Sequence, residues 1–386
     1  MINCRENIPG AKERAQMRLS GQVKKPVDKG ILTTFVLLLM TGIIILYSAS
    51  YYNAQDADGN PLAEVISQLM GIALGGVGMF VVLRMDYRIL RRPLISVGLL
   101  LVSLVLLVLV SIPGIGRLVN GSRRWLKIGP VSFQPSELAK YSAILFMARM
   151  YSQKNRDVRH FFTGLLPVFV MPAIMFLLIL LQPNLSTAGS IVIVAGFMAM
   201  LAGAKWLHLG VVAALGACVG AFYAWVEPYR RARLLSFRDP FAQLSNEGYQ
   251  LAQSLMAFGS GGVFGMGLGK GRQKYAFLPY PESDFIFAVV GEDLGFVGCA
   301  AVLTLFAMFV FYGLRVAIRC PDRFGSLLAG GITCMIGVQT ILNVAVVTGS
   351  MPTTGLPLPF FSAGGTSISV VMCAVGILLN ISRQTL

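Results

Sequence analysis

The chain has 386 residues, of which 55% are hydrophobic and 13% charged, and its formal net charge is +15 at pH 7. That balance excludes an ordinary soluble enzyme and a disordered chain. Apolar runs long enough to cross ~30 Å of hydrocarbon recur along it, each about 20 helical residues, which predicts an all-α, polytopic membrane protein with about ten transmembrane helices.

Residues 1–29 form a basic hydrophilic segment carrying Arg5, Lys12, Arg14, Arg18, Lys24, Lys25 and Lys29. No small-residue cleavage site follows the first apolar run, which predicts a retained span rather than a removed signal peptide. Residues 30–383 read as a single transmembrane domain, with spans near 30–50, 65–83, 93–112, 136–151, 161–181, 186–204, 206–225, 285–314, 325–348 and 366–382. The loops 84–92, 154–159 and 315–323 are basic, whereas 51–64, 182–185 and 349–365 contain no Lys or Arg. Because short basic loops stay inside, both termini are expected in the cytoplasm.

Two outer segments depart from that pattern. The short loop 113–135 carries Arg117, Arg123, Arg124 and Lys127, which suggests an anionic ligand such as a lipid phosphate or pyrophosphate. The large extracytoplasmic loop at about 226–283 carries Arg230, Arg231, Arg233, Arg238, Lys270, Arg272 and Lys274, but long loops translocate largely regardless of charge. Within it, "LAQSLMAFGSGGVFGMGLG" (251–269) resembles a further span. A crossing there would invert the charge pattern, so an interfacial or re-entrant segment is expected.

Conventional cofactor chemistry has no sequence support. Cys4, Cys218, Cys299, Cys320, Cys334 and Cys373 form no CxxC pair and read as core-packing residues. His160 and His208 are isolated. There is no Walker loop, and the Gly-rich run lacks the preceding strand of a dinucleotide site. The sequence requires no cofactor and leaves room for a divalent cation.

The acids stand out against this background, because intramembrane carboxylates are expensive and usually functional. Pro135 breaks any earlier helix, so Ser136 is expected to cap the next one. Glu137 and Lys140 then share a helix face, either as a structural ion pair or in a cavity. Trp125 reads as an interfacial anchor or as a stacking surface for a sugar. Asp284 follows "LPYPES" (278–283), whose prolines fix the entry into a span, and so lies near the outer interface. Glu292 and Asp293 are expected roughly 12–14 Å deeper, engaged in helix packing. Asn343 is expected to bridge helices, and 349–367 to fold back and line a cavity with backbone donors.

These motifs bring a family into view. "GSRRWLKIGPVSFQPSELAK", "QPNLSTA", "SGGVFGMGLGKGRQKYAFLPYPESDFIFAVVGEDLGFVG" and "GSMPTTGLPLPFFSAGGTS" occur in that order. With them the chain resembles the SEDS proteins, the FtsW, RodA and SpoVE family of bacterial cell-wall synthesis, over about 30–383. The wording of "GKGRQKYAFLP" looks more like the FtsW/SpoVE branch. Two departures are Asn184, where the family often has Asp, and "PYPESD" in place of a Glu-rich approach to Asp284.

The resemblance implies a multi-pass protein of the bacterial cell membrane with a ten-helix fold. It implies a peptidoglycan glycosyltransferase that polymerises lipid II, with a class B penicillin-binding protein and membrane lipids as partners and no role for nucleic acid. Asp284 matches the family's essential acid and is expected to act as general base. Trp125, Glu137 and Lys140 match family cavity residues, and Ser362, Gly364 and Gly365 its final signature. Arg123, Arg124, Lys140 and Lys274 are the candidates to stabilise a departing undecaprenyl pyrophosphate. The competing expectations are a lipid II flippase and a non-catalytic scaffold for a penicillin-binding protein.

Overall fold

In hydrocarbon no water is available to the backbone, so each apolar run must satisfy its own N–H and C=O groups as a helix. The computed structural model describes residues 26–384 except 58–61, 120, 129–130, 154–156, 227–230, 233–235 and 244–247. The basic leader through residue 25, with Cys4, lies outside the described residues, as do Lys154, Arg156, Arg230 and Arg233. Twelve helices are labelled in chain order: α1 (Lys29–Ala57), α2 (Ala63–Arg84), α3 (Pro93–Ser111), α4 (Pro135–Tyr151), α5 (Leu166–Leu180), α6 (Leu185–Leu201), α7 (Trp206–Val226), α8 (Tyr249–Gly261), α9 (Gln273–Ala276), α10 (Ile286–Arg319), α11 (Arg323–Val347) and α12 (Gly365–Ser382).

Each predicted span coincides with a helix. Eight segments among the described residues are long and apolar enough to cross a membrane, and the helical, polytopic class stands. The two remaining span helices, α4 and α6, have 17 residues each, and α5 reaches membrane length with the π-helical turn 161–165 that precedes it. Helix α4 carries charge yet is buried over most of its length, packed among α3, α5, α6, α11 and α12. It is therefore the centre of the bundle rather than a lipid-facing span. Helix α12 runs along α2 so closely that a Cβ on Gly71 would lie 2.1 Å from the Gly365 carbonyl oxygen.

The loop after α3 forms a three-stranded antiparallel sheet, β1 (Gly116–Val119), β2 (Ser122–Ile128) and β3 (Val131–Phe133). Four local expectations are corrected. Ser136 is not the cap of α4: Gln134 occupies that position without a side-chain bond, and the Ser136 hydroxyl is buried inside the first turn. The missing cap is tolerable because Pro135 supplies no N–H to satisfy. Asn343 bonds a loop rather than another helix, as described below. The cysteines divide: Cys299 and Cys320 are buried, Cys334 and Cys373 half-buried, and Cys218 exposed.

The fourth correction concerns the acids of α10. That helix is broken at Gly295, whose φ of 67° and ψ of −164° are non-helical. The freed groups are recovered by the glycine-rich turn after α8, through Phe296 N–H to Gly262 O at 2.9 Å and Met266 N–H to Glu292 O at 2.9 Å. Glycine is required at the break, because a Cβ on Gly295 would lie 2.3 Å from the Gly265 nitrogen in a left-handed conformation. The half-helix 286–294 thus precedes the membrane-length remainder. Asp293 meets Ser48, near the Tyr51 end of the apolar stretch Lys29–Tyr51, so it is not two turns deeper in a continuous span. Gly295→Val is expected to lower stability by about 2–3 kcal/mol or more, from the strained φ and the backbone clash. Thermal unfolding of the purified chain checks this.

Candidate active site

Asp284 sits at the entry to α10, two residues before its first turn, and is half-buried. Three consecutive carbonyls on its approach are held from the C-terminal third of the chain. Ala363 N–H donates to Glu282 O at 2.8 Å. The Ser362 hydroxyl donates to Ser283 O at 2.6 Å, and Asn343 Nδ2 donates to Asp284 O at 2.7 Å. Such anchoring removes backbone freedom from the segment that presents the carboxylate, the usual route to preorganisation. The Ser283 hydroxyl donates to Asp284 Oδ1 at 3.1 Å.

The anchors are themselves fixed. Asn343, 1% exposed, also donates to Leu356 O at 2.8 Å. Ser362 Oγ accepts from Leu358 N–H at 2.8 Å. Gln68 of α2 accepts from Gly364 N–H at 3.1 Å and donates to Ser362 O at 3.3 Å. The 349–364 segment does fold back, as expected, but the polar groups of Ser362 and Gly364 brace the loop and the Asp284 approach. Gly365 serves the contact with Gly71. Ser362 also lines a small cavity with Gln339, Pro357 and Ser367.

Arg124 reaches the same place from the sheet. The register of β1 against β2 slips beside Arg124: Arg117 pairs with Trp125 but Leu118 pairs with Arg123. A bulge of this kind re-aims a side chain. Its guanidinium donates to Gln182 O at 2.9 Å and to Pro183 O, in the turn that precedes α6. Asn184 caps α6 by accepting from Thr187 N–H at 3.3 Å, a task that Asn performs as well as Asp. A Cβ on Gly355 would lie 3.0 Å from Asp284 Oδ2 and 3.6 Å from Arg124 Nη1. The acid and the cation therefore lie beside the same glycine, next to each other in the site. Gly355→Leu is expected to crowd both groups and lower turnover at least tenfold while the fold persists. An initial-rate assay with unfolding measured in parallel checks it.

Glu137 and Lys140 of α4 form a buried ion pair, Nζ to Oε1 2.7 Å, with side chains 1% and 0% exposed. Ser367, in the first turn of α12, donates to Glu137 Oε2 at 2.7 Å, and Thr366 donates to Ser132 O at 3.1 Å. Arg123 and Trp125 are half-buried on β2. The structure thus brings together Asp284, Arg124, Gly355 and Ser362, with Glu137–Lys140 linked through Ser367. It does not bring Lys274 to them through any contact: Lys274 is 1% exposed and bonded to Asp293 and Ser48. Among the described residues no group of three or more His, Cys, Asp or Glu could hold a metal.

Sequence reasoning missed Gln68, Ser367 and Ser48. A lone glutamine in the apolar run of α2 was a usable signal for the first. Ser367 closes the 349–367 motif, which marks it; nothing local marked Ser48.

A polytopic helical bundle with one preorganised acid beside a cation defines a class of integral membrane protein with a site at one end of the bundle. The family profile described as cell cycle protein, covering FtsW, RodA and SpoVE, matches residues 29–386, and the chain belongs to that family. It is 40% identical to stage V sporulation protein E of Bacillus subtilis over 363 residues, 94% of this chain and 99% of the relative. It is 41% identical to the probable peptidoglycan glycosyltransferase FtsW of Geobacter metallireducens, across 92% of this chain and 95% of that one. Among solved structures it is similar to a chain of a peptidoglycan synthase complex studied for coordination of polymerization and crosslinking, with a TM-score of 0.75 at 28% identity, covering 92% of this chain and 98% of that one. The rod shape determining protein RodA of Thermus thermophilus gives a TM-score of 0.68 at 27% identity, covering 93% of this chain and 97% of that one. The chain is accordingly a multi-pass protein of the bacterial cell membrane.

Proposed function

We propose that this protein is a peptidoglycan glycosyltransferase that polymerises lipid II into β-1,4 glycan strands at the outer face of the membrane, with Asp284 as general base. The observation that carries the reading is the Asp284 carboxylate, held by three consecutive carbonyl anchors and lying with Arg124 beside Gly355. Relatives named as probable peptidoglycan glycosyltransferases support the substrate class. The charge pattern of the loops supplies the outer face.

Lipid II carries its sugar on undecaprenyl pyrophosphate and is already activated, so no nucleotide is consumed. The acceptor 4-hydroxyl oxygen attacks the donor's anomeric carbon as its proton passes to Asp284. The carbon–oxygen bond to phosphate breaks, and undecaprenyl pyrophosphate leaves with the electron pair. Attack opposite the leaving group inverts an α-linked donor to a β link. Arg124, with Arg123 on the same strand, is placed to stabilise charge that develops on the pyrophosphate. A divalent cation on that group would add to the same stabilisation. A class B penicillin-binding protein would cross-link the strands as they emerge.

The test supplies labelled lipid II to the purified chain with such a partner in liposomes. Glycan strands are expected. Lipid II that crosses the bilayer without forming strands would favour a flippase, and neither outcome would leave a scaffold.

A further inference from the structure

Lys274 was expected to meet the leaving pyrophosphate, but its ammonium has no proton left to give. An ammonium has three donors, and Nζ lies 2.6 and 2.7 Å from Asp293 Oδ1 and Oδ2 and 2.7 Å from Ser48 Oγ. Both partners of the ion pair are essentially buried, at 1% and 0% side-chain exposure. The Ser48 hydroxyl in turn donates to Asp293 Oδ2 at 2.5 Å and accepts from Gly269 N–H at 3.2 Å. Next to it, Glu292 Oε1 accepts from Arg272 N–H at 2.6 Å and Gln273 N–H at 2.9 Å, closing the first turn of α9. The loop can wrap this closely because residue 271 has no side chain: a Cβ there would lie 2.5 Å from Glu292 Oε2 and 2.9 Å from Asp293 Oδ1.

The cluster therefore joins three segments: α1 through Ser48, the glycine-rich loop and the start of α9 through Gly269 and Lys274, and the half-helix 286–294 through Asp293. That half-helix starts two residues after Asp284 and ends at the Gly295 break. Its first end is pinned by Asn343 and Ser362, and its other end is bonded to this cluster and to the turn after α8. Its flank packs on α8, where a Cβ on Gly261 would lie 2.0 Å from Gly291 O, so the polar attachments set the ends of a helix that packing already holds along its length.

We infer that Lys274 is a positioning residue, acting through Asp293 to hold the half-helix that presents Asp284, and that it does not bind the pyrophosphate. The inference rests on the glycosyltransferase reading. A buried ion pair suits this purpose because removal of one partner leaves the other charge uncompensated, whereas an apolar pair of similar volume can replace both.

The experiment measures strand formation against lipid II concentration for the wild type, Lys274→Met, Asp293→Leu, the double variant and Ser48→Ala, each with the class B partner. Each single charge variant is expected to lose at least tenfold in kcat with KM within about threefold of wild type. The double variant is expected to recover to within tenfold of wild type, and Ser48→Ala to lose a few-fold in kcat alone. A double variant that folds and binds the partner but stays as slow as Lys274→Met, or a KM that rises with loss of Lys274, would overturn the inference in favour of direct substrate contact. Wild-type rates in every variant would overturn it as well. Where the single variants fail to accumulate, the double variant and Ser48→Ala decide the matter by the same criteria. Failure of the underlying reading is distinct, since it shows as no strands from the wild type.

Discussion

Lys140→Met is expected to lower the stability of the chain by about 3–5 kcal/mol, the range for breaking a buried ion pair from one side. The Glu137 carboxylate would be left with a single bond from Ser367 in the buried first turn of α4, the most enclosed helix of the bundle. Pairing the change with Glu137→Gln removes the stranded charge and keeps an acceptor for Ser367, so the double variant is expected to regain most of the loss. Thermal unfolding of the purified protein measures both. A loss below about 1 kcal/mol for Lys140→Met would show that the pair behaves like an exposed one, open to water from the site.

Asp284→Asn is expected to leave the fold and partner binding intact and to lower the rate of strand formation by about 10²–10⁴-fold, the usual contribution of a general base. The substitution is close to isosteric. The three carbonyl anchors use the backbone of 282–284 and are untouched, and the side-chain oxygen can still accept from Ser283. What is lost is the capacity to take the proton of the acceptor hydroxyl. Restored activity in Asp284→Glu is not expected: the extra methylene moves the carboxylate from the place it holds close beside Gly355. Lys140→Met thus reads the fold, and Asp284→Asn reads the chemistry.

The spans were legible because uninterrupted apolar runs of that length have few alternatives to a helix. Asp284 was legible for a related reason, since two prolines followed by an acid at the mouth of such a run leave little doubt about where the carboxylate emerges. The sheet at 116–133 was not, because its strands are short and its register slips at Arg124. That slip is nonetheless what turns Arg124 toward Asp284. The break at Gly295 was hidden by its neighbours: Gly291, Gly295 and Gly298 read equally well as a stripe for close helix packing, and only the glycine-rich turn at 262–267 distinguishes them. Lys274 illustrates the general limit. Its cationic type was plain, but its partner Ser48 lies 226 residues away in sequence, and no local pattern reports a contact of that range. Asp293 does meet a neighbouring helix, as expected, through Ser48 of α1, and together with Glu292 it also organises the segment that carries Lys274.

The most direct test of the central claim is the initial rate at which purified chain, bound to its cross-linking partner, converts labelled lipid II to glycan strands, compared between the wild type and Asp284→Asn. The account predicts strands from the wild type and a rate lower by at least 10²-fold from the variant, at equal unfolding temperature and partner occupancy. Equal rates from the two proteins would contradict it and remove Asp284 from the chemistry.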